Sequence, residues 1–240
     1  MSAATVTARI AGLALLGLVT ACAGSGTAGY PSPPTGCQRA LLVAARGSGE
    51  SATDRMGMGS TLYELYEQLR VGSAVTGFGF PFAARVSGQD AVRDASTQLA
   101  DLVRQRASRC PAERLLLAGF SMGAEIVGDA LQSSRLDQRG DHPAAAVLLA
   151  DPRFNPRDRA TAAGTFDPGY DGSSSPRPPY LSTLASRIRS YCRRGDDVCQ
   201  HGAPGAGKLE HGLYAPQQTC DAARFLATAA GLPTGSCVRQ

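Results

Sequence analysis

Leu115-Leu116-Leu117-Ala118-Gly119-Phe120-Ser121-Met122-Gly123 runs an apolar tetrapeptide straight into a G-x-S-x-G string, and a helical pattern over 124–132 follows at once. Four consecutive apolar residues closed by glycine read as a strand buried on both faces. A strand that turns into a helix this abruptly leaves no room for Cβ atoms at the flanking positions, which explains Gly119 and Gly123. The turn lifts the Ser121 hydroxyl above the sheet. It also puts the Met122 N–H at a helix N-terminus, where it can hold a developing oxyanion. As a bare string the motif is weak, because a glycine-rich turn carrying an exposed serine looks the same. The strand before it and the helix after it make the nucleophile reading the better one.

Working outward, apolar runs at 41–45, 74–80, 144–150 and 188–191 read as further strands. Segments 61–69, 89–109, 181–187 and 216–230 read as helices. Strands alternating with helices imply a three-layer α/β/α sandwich with a central, mostly parallel sheet of about five strands. Phe166-Asp167-Pro168-Gly169-Tyr170-Asp171-Gly172 opens a loop that runs on to Pro179, either a connection or a partial lid. The alternation resumes after it, so 37–240 is expected to be one domain. The 240 residues, 43% hydrophobic and 18% charged, exclude a disordered chain, a collagen and a coiled coil. The net charge of +4 is carried almost wholly by arginine, since Lys208 is the only lysine. The arginines are scattered along the chain rather than clustered, which reads as solvated surface and offers no basic stripe for nucleic acid.

Residues 1–22 read as an export signal, with Arg9 before the apolar run 10–19 and small residues after it. The run is too short to span a bilayer as a helix. Its end has two readings. Val19-Thr20-Ala21-Cys22 looks like a bacterial lipobox, in which Cys22 is lipidated and anchors the mature chain to a membrane. Ala21-Cys22-Ala23 also fits ordinary A-x-A cleavage, which frees the protein. Residues 23–36, small and Pro-rich, suit a flexible tether. Either way the protein is expected outside the cell or on its envelope, as a monomer. Setting Cys22 aside leaves six cysteines, Cys37, Cys110, Cys192, Cys199, Cys220 and Cys237, an even count suited to three disulfides in an exported chain. No histidines stand at zinc spacing from them, so no metal site is expected.

A serine nucleophile needs a base, and the chain has three histidines. His142 sits in a strand-entry turn and reads as solvated. His201 lies just beyond Cys199. His211 comes last, before the final helix, where a loop can reach back over Ser121, and it is the expected base. For the acid, chain position leaves two choices open. Asp151 ends the strand after the nucleophile helix, a favoured place at the C-terminal edge of a sheet. Asp196 and Asp197 lie between Cys192 and Cys199, where a closed loop would hold a carboxylate rigidly.

From Cys37 to the last helix the chain resembles the cutinase family of serine esterases, in its bacterial branch. Ala45-Arg46-Gly47-Ser48 is similar to the family's oxyanion loop, Gly119 to Gly123 to its nucleophile elbow, and His211-Gly212-Leu213-Tyr214 to its histidine loop. Cys192-Arg193-Arg194-Gly195-Asp196-Asp197-Val198-Cys199 is similar to its C-x3-D-x2-C acid loop. The resemblance implies Asp196 as the acid, Ser48 and Met122 as oxyanion donors, and Cys37–Cys110 and Cys192–Cys199 disulfides, which leaves Cys220 with Cys237. Two departures stand out. Met122 replaces the family's usual Gln, and Phe120 its usual Tyr. Asp151-Pro152 also looks like a structural feature of the family.

The implied fold is a small α/β-hydrolase, and the implied activity a cofactor-free carboxylesterase on short- to medium-chain esters, extending to polyester or lipid. Phe78, Phe80, Phe82, Leu213 and Tyr214 are candidates for an acyl site, though aromatics near strand ends usually belong to the core. The alternatives are a phospholipase or thioesterase on the same triad, and a non-catalytic surface-binding module.

Overall fold

The computed structural model describes residues 32–71, 73–82, 88–137, 142–214 and 216–235. The leader, Cys22 and Cys237 lie outside the described residues. In chain order the elements are β1 (Ala40–Ala45), a 3-10 turn (Asp54–Gly57), α1 (Ser60–Arg70), β2 (Thr76–Gly79), α2 (Gln89–Arg109) and β3 (Arg114–Phe120). Then follow α3 (Met122–Leu131), α4 (Ser134–Asp137), β4 (Ala145–Leu149), β5 (Ala162–Gly164), α5 (Ser182–Ala185), β6 (Ile188–Cys192), α6 (Lys208–His211) and α7 (Pro216–Ala229).

The strands form one sheet in the order β2-β1-β3-β4-β6-β5, and each described pairing is parallel. The period-2 alternation of side chains divides the apolar residues between two faces. Leu41, Val43, Leu115, Leu117, Ala146 and Leu148 pack beneath α2 and α3. Leu42, Ala44, Leu116, Ala118, Val147 and Leu149 pack beneath α1 and α7. Both faces are therefore dry, and each fully buried Leu or Val contributes roughly 1.5–3 kcal/mol to the sandwich. Phe78, Phe80 and Phe82 belong to the core under α2 and α3, so they are not free to line an acyl site.

The sheet has a sixth strand that the sequence does not announce. After β4 the chain skips a place, lays Ala162-Ala163-Gly164 at the far edge, and returns to insert β6 between β4 and β5. Three residues are too few to show a period, and β5 exists because β6 offers it a ladder. The loop after β5 is fastened rather than free. Gly172 N donates to Phe154 O (3.1 Å), Ser174 N to Pro152 O (2.8 Å) and Ser173 N to Val198 O (2.8 Å).

At the opposite end of the sheet the described part of the tether is held down. The Arg106 guanidinium, buried beside Glu113, donates to Pro34 O (2.9 Å) and Gly36 O (3.2 Å). The Cys37–Cys110 disulfide binds the same point to the end of α2. His142, expected in solvent, is half-buried, and among the described residues its Nδ1 has no hydrogen-bond partner. The entry to β4 is tied to β3, Ala144 N donating to Leu115 O (2.7 Å).

Candidate active site

The C-terminal ends of β1, β3, β4 and β6 meet at one end of the molecule, where open α/β sheets place their sites. Ser121 stands between β3 and α3 with φ 55° and ψ −124°, a backbone region that a non-glycine residue holds only when its surroundings enforce it. The enforcement is visible. A Cβ on Gly119 would collide with the Gly123 carbonyl and with Ala124, and one on Gly123 with the carbonyls of Ala45 and Arg46. Ser121 N donates to Leu149 O (2.9 Å), which ties the turn to the neighbouring strand.

His211 closes the short helix α6, its Nε2 2.9 Å from Ser121 Oγ. Its Nδ1 lies 3.0 Å from Asp196 Oδ1 and 3.2 Å from Oδ2. Asp196 is fully buried. It also accepts from Val198 N at 2.9 Å and from the Tyr214 hydroxyl at 3.0 Å. A carboxylate with these donors accepts from Nδ1–H, so the Nδ1-protonated tautomer leaves Nε2 free to accept the serine proton. The Ser121–His211–Asp196 chain is thus continuous.

The acid loop is held by its own contacts. The Cys192–Cys199 disulfide closes it. Gln200 N donates to Asp196 O (2.8 Å) and Gly207 N to Gly195 O (2.8 Å). The Arg193 guanidinium pairs with Glu210 at 2.9 Å, which joins the acid loop to α6. Phe120 stacks on the His211 ring at 5.0 Å and 20° and meets Tyr214 edge-on at 5.9 Å. At this position an aromatic face is what packing uses.

Tyr214, considered above as acyl lining, is buried and turned to the acid. Burial, and then the Asp196 charge, raise its hydroxyl well above the usual tyrosine range, so it stays a donor. Nothing in the string HGLY announces that role, because it needs the acid loop folded against α6. Leu213 is exposed.

Ser48 is exposed in the turn after β1, and Met122 opens α3 with Ser121 as its N-cap. The two segments abut, since the Ala45 and Arg46 carbonyls face Gly123 and Gly47 lies against the Phe120 ring. The Met122 side chain packs on the core below α2 and α3. A residue that the sequence reading passed over braces the turn instead. Glu50 accepts from Gly47 N (2.7 Å) and from Ser60 N (2.8 Å), which clamps the turn to the start of α1. Arg46, buried, donates to Glu50 O and Phe82 O, both at 3.1 Å.

The competing candidates have other partners. Asp151 accepts from the buried Arg177 guanidinium (3.1 Å), which also pairs with Asp129. Asp197 faces His201 at 3.3 Å, on the surface. Cys220 is in a disulfide, the third that the cysteine count called for.

Three comparisons bear on this geometry. The family model described as Cutinase matches residues 36–230. A phospholipase of Mycobacterium tuberculosis, Culp4, is 30% identical over 210 residues, covering 82% of this chain and 81% of that protein. The cutinase CUT1 of Coprinopsis cinerea is 32% identical over 193 residues, covering 80% and 83%. Among solved structures, a cutinase-like protein from Cryptococcus sp. superposes with a TM-score of 0.67 at 18% identity, covering 84% of this chain and 99% of that one.

Proposed function

We propose, from the premise that the chain belongs to the cutinase family of carboxylic ester hydrolases, that it is a serine carboxylesterase working through Ser121, His211 and Asp196. The observation that carries this is the unbroken chain of hydrogen bonds from the Ser121 hydroxyl through the His211 ring to a buried carboxylate.

Ser121 Oγ attacks the ester carbonyl while His211 Nε2 takes its proton. The Met122 N–H and Ser48 hold the oxyanion. The imidazolium formed is stabilised by Asp196, then protonates the leaving alcohol. Water, activated by the same ring, releases the acyl group and regenerates the serine. The chemistry uses no metal or cofactor.

The substrate class we infer is short- to medium-chain esters, including polyester or lipid. A phospholipase reading is kept because of the mycobacterial relative bearing that name. The disulfides fit an extracellular protein. Export by residues 1–22, and lipidation at Cys22 in preference to simple cleavage, complete the proposal.

The test compares p-nitrophenyl esters of increasing acyl length on the wild type and on Ser121→Ala. Turnover lost in the variant, with an optimum at short or medium chains, supports the esterase. A long-chain optimum moves the reading to phospholipase. A folded wild type with no turnover and no labelling by a serine-directed phosphonate overturns both.

A further inference from the structure

The arginines look scattered in the sequence, yet several collect at the end of the sheet where the strands begin. Arg39 leads into β1, Arg109 ends α2, Arg114 opens β3 and Arg187 leads into β6. All four are exposed. Arg39 and Arg114 adjoin through the backbone, Arg114 N donating to Arg39 O (3.1 Å), and Arg187 is tied to β4, Ala146 N donating to its O (2.8 Å). Among the described side chains, none of the four has an acidic partner. Among the described side chains, the acids on the segments that end there are already engaged. Glu67 holds Arg70, Asp101 holds Arg104 and Arg135, Glu113 holds Arg106, and Asp158 is turned to Thr161. The C-termini of α1, α2, α3 and α7 also point here. Each contributes roughly half a negative charge, less in total than the four arginines supply.

Between two of them, Arg114 and Arg187, lies a cavity of about 310 Å³ lined also by Arg106, Glu113 and His142. Among the described side chains that line it, Glu113 is matched by Arg106, which leaves Arg114 and Arg187 without a paired acid. A recess of this kind suits a phosphate-bearing headgroup, while the surrounding flat arginine face suits an extended anionic surface. The chain also enters the folded region here, since residues 34–36 are fastened to Arg106. Any anchor upstream of residue 34 therefore attaches at this end.

We propose that the strand-entry end of the sheet is a docking surface for an anionic lipid bilayer, seated through Arg39, Arg109, Arg114 and Arg187 with a headgroup in the cavity between Arg114 and Arg187. The proposal is independent of the hydrolase chemistry. It has a consequence for that chemistry all the same. Ser121 lies at the other end of β3, whose seven residues at roughly 3.3 Å each place it about 20 Å from the docked face. The docked protein presents its serine outward, to esters arriving from beyond the membrane rather than to the leaflet it sits on.

The experiment uses the chain from residue 23 onward, exported behind a leader that is cleaved without lipidation, so that no acyl chain contributes. Co-sedimentation is measured with vesicles of phosphatidylcholine alone and of phosphatidylcholine mixed with phosphatidylglycerol. Binding is expected only to the mixed vesicles, falling as salt rises. Each arginine removed is expected to weaken it about fivefold, so Arg114→Gln with Arg187→Gln lowers it about 25-fold. Turnover of a soluble p-nitrophenyl ester by that double variant stays at the wild-type level, which also shows that it is folded. Arg93→Gln, on the first turns of α2 at the opposite end, is expected to leave binding unchanged. Soluble-ester turnover by the wild type persists under saturating anionic vesicles. Absence of binding to the mixed vesicles, equal weakening by Arg93→Gln, or loss of turnover on docked vesicles each overturns the proposal.

Discussion

Two buried carboxylates compete for the role of acid, and their isosteric amides separate them. In Asp196→Asn, Val198 N–H is a fixed donor at 2.9 Å, so the amide oxygen must stay at the Oδ1 position. The amide NH2 then takes the Oδ2 position, where the Tyr214 hydroxyl can rotate to accept. Geometry survives, but the negative charge beside the imidazolium is gone, and an NH2 now sits 3.2 Å from Nδ1. Two unit charges about 4 Å apart at an effective dielectric constant of about 20 interact by about 4 kcal/mol. That corresponds to about a thousandfold in rate, and the weakened tautomer preference adds to it. The expected loss in kcat/KM on a p-nitrophenyl ester is therefore about 10³- to 10⁴-fold, with a small change in Tm. Asp151→Asn should do the reverse. It removes one partner of the buried Arg177 guanidinium, and breaking a buried pair costs about 3–5 kcal/mol. Asp129 still compensates part of the charge, so about 3 kcal/mol is expected, a fall in Tm of roughly 6–12 °C. Its kcat/KM should stay within a few-fold of wild type. If Asp196→Asn keeps activity within tenfold while Asp151→Asn loses a thousandfold at unchanged Tm, the assignment of the acid is wrong.

Four further expectations can be checked alongside. Tyr214→Phe removes a hydrogen bond to a buried charge, worth about 1.5–3 kcal/mol; kcat should fall about tenfold or more with KM little changed, read by steady-state kinetics. The two described disulfides should separate stability from activity. By loop length, with sequence separations of 73 and 7, replacing Cys37 and Cys110 by Ala costs about 4 kcal/mol and replacing Cys192 and Cys199 about 2.5 kcal/mol. Only the second pair should abolish turnover in the folded fraction, as urea titration with parallel assays would show. The Tyr191 hydroxyl is pushed up to about 12, by burial first and then by Asp221, from an ordinary value of 10.0. Because the folded value is the higher one, its contribution is whole below about pH 10 and is lost as pH rises from there to about 12, some 2–3 kcal/mol in all; Tyr191→Phe should make the fall of the urea midpoint across that range shallower, the remainder coming from Tyr180 and Tyr214. Gly123→Ala should fail to fold or lose Ser121's geometry, because its methyl would enter the space of the Ala45 and Arg46 carbonyls; a soluble, fully active Gly123→Ala would contradict the elbow described above.

Local pattern was enough for much of the architecture. The apolar runs of β1, β3, β4 and β6 and the 3.6-residue periodicity of α2 identified themselves because burial on both faces, or on one stripe, is written into consecutive residues. The helix 89–109 matches its sequence reading to the residue, and the elbow glycines followed from steric need alone. Resemblance to a family named the acid loop and its disulfide. Spacing could not, since Asp151, Asp196 and Asp197 are chemically equal until packing gives each a neighbour.

What the chain order left undetermined is what depends on contacts between distant segments. β5 is a strand only because β6 lies beside it. Tyr214 is a donor to Asp196 only because the closed loop 192–199 meets the short helix that carries His211. Glu50 braces the turn after β1 only where α1 begins against it. The four arginines at the strand-entry end come together from positions as far apart as 39 and 187. A side chain's electrostatic partner is set by distances of a few ångströms, and those distances arise only when the sheet has brought its strands into register; before that, the sequence specifies which groups are available, and the tertiary fold selects which of them meet.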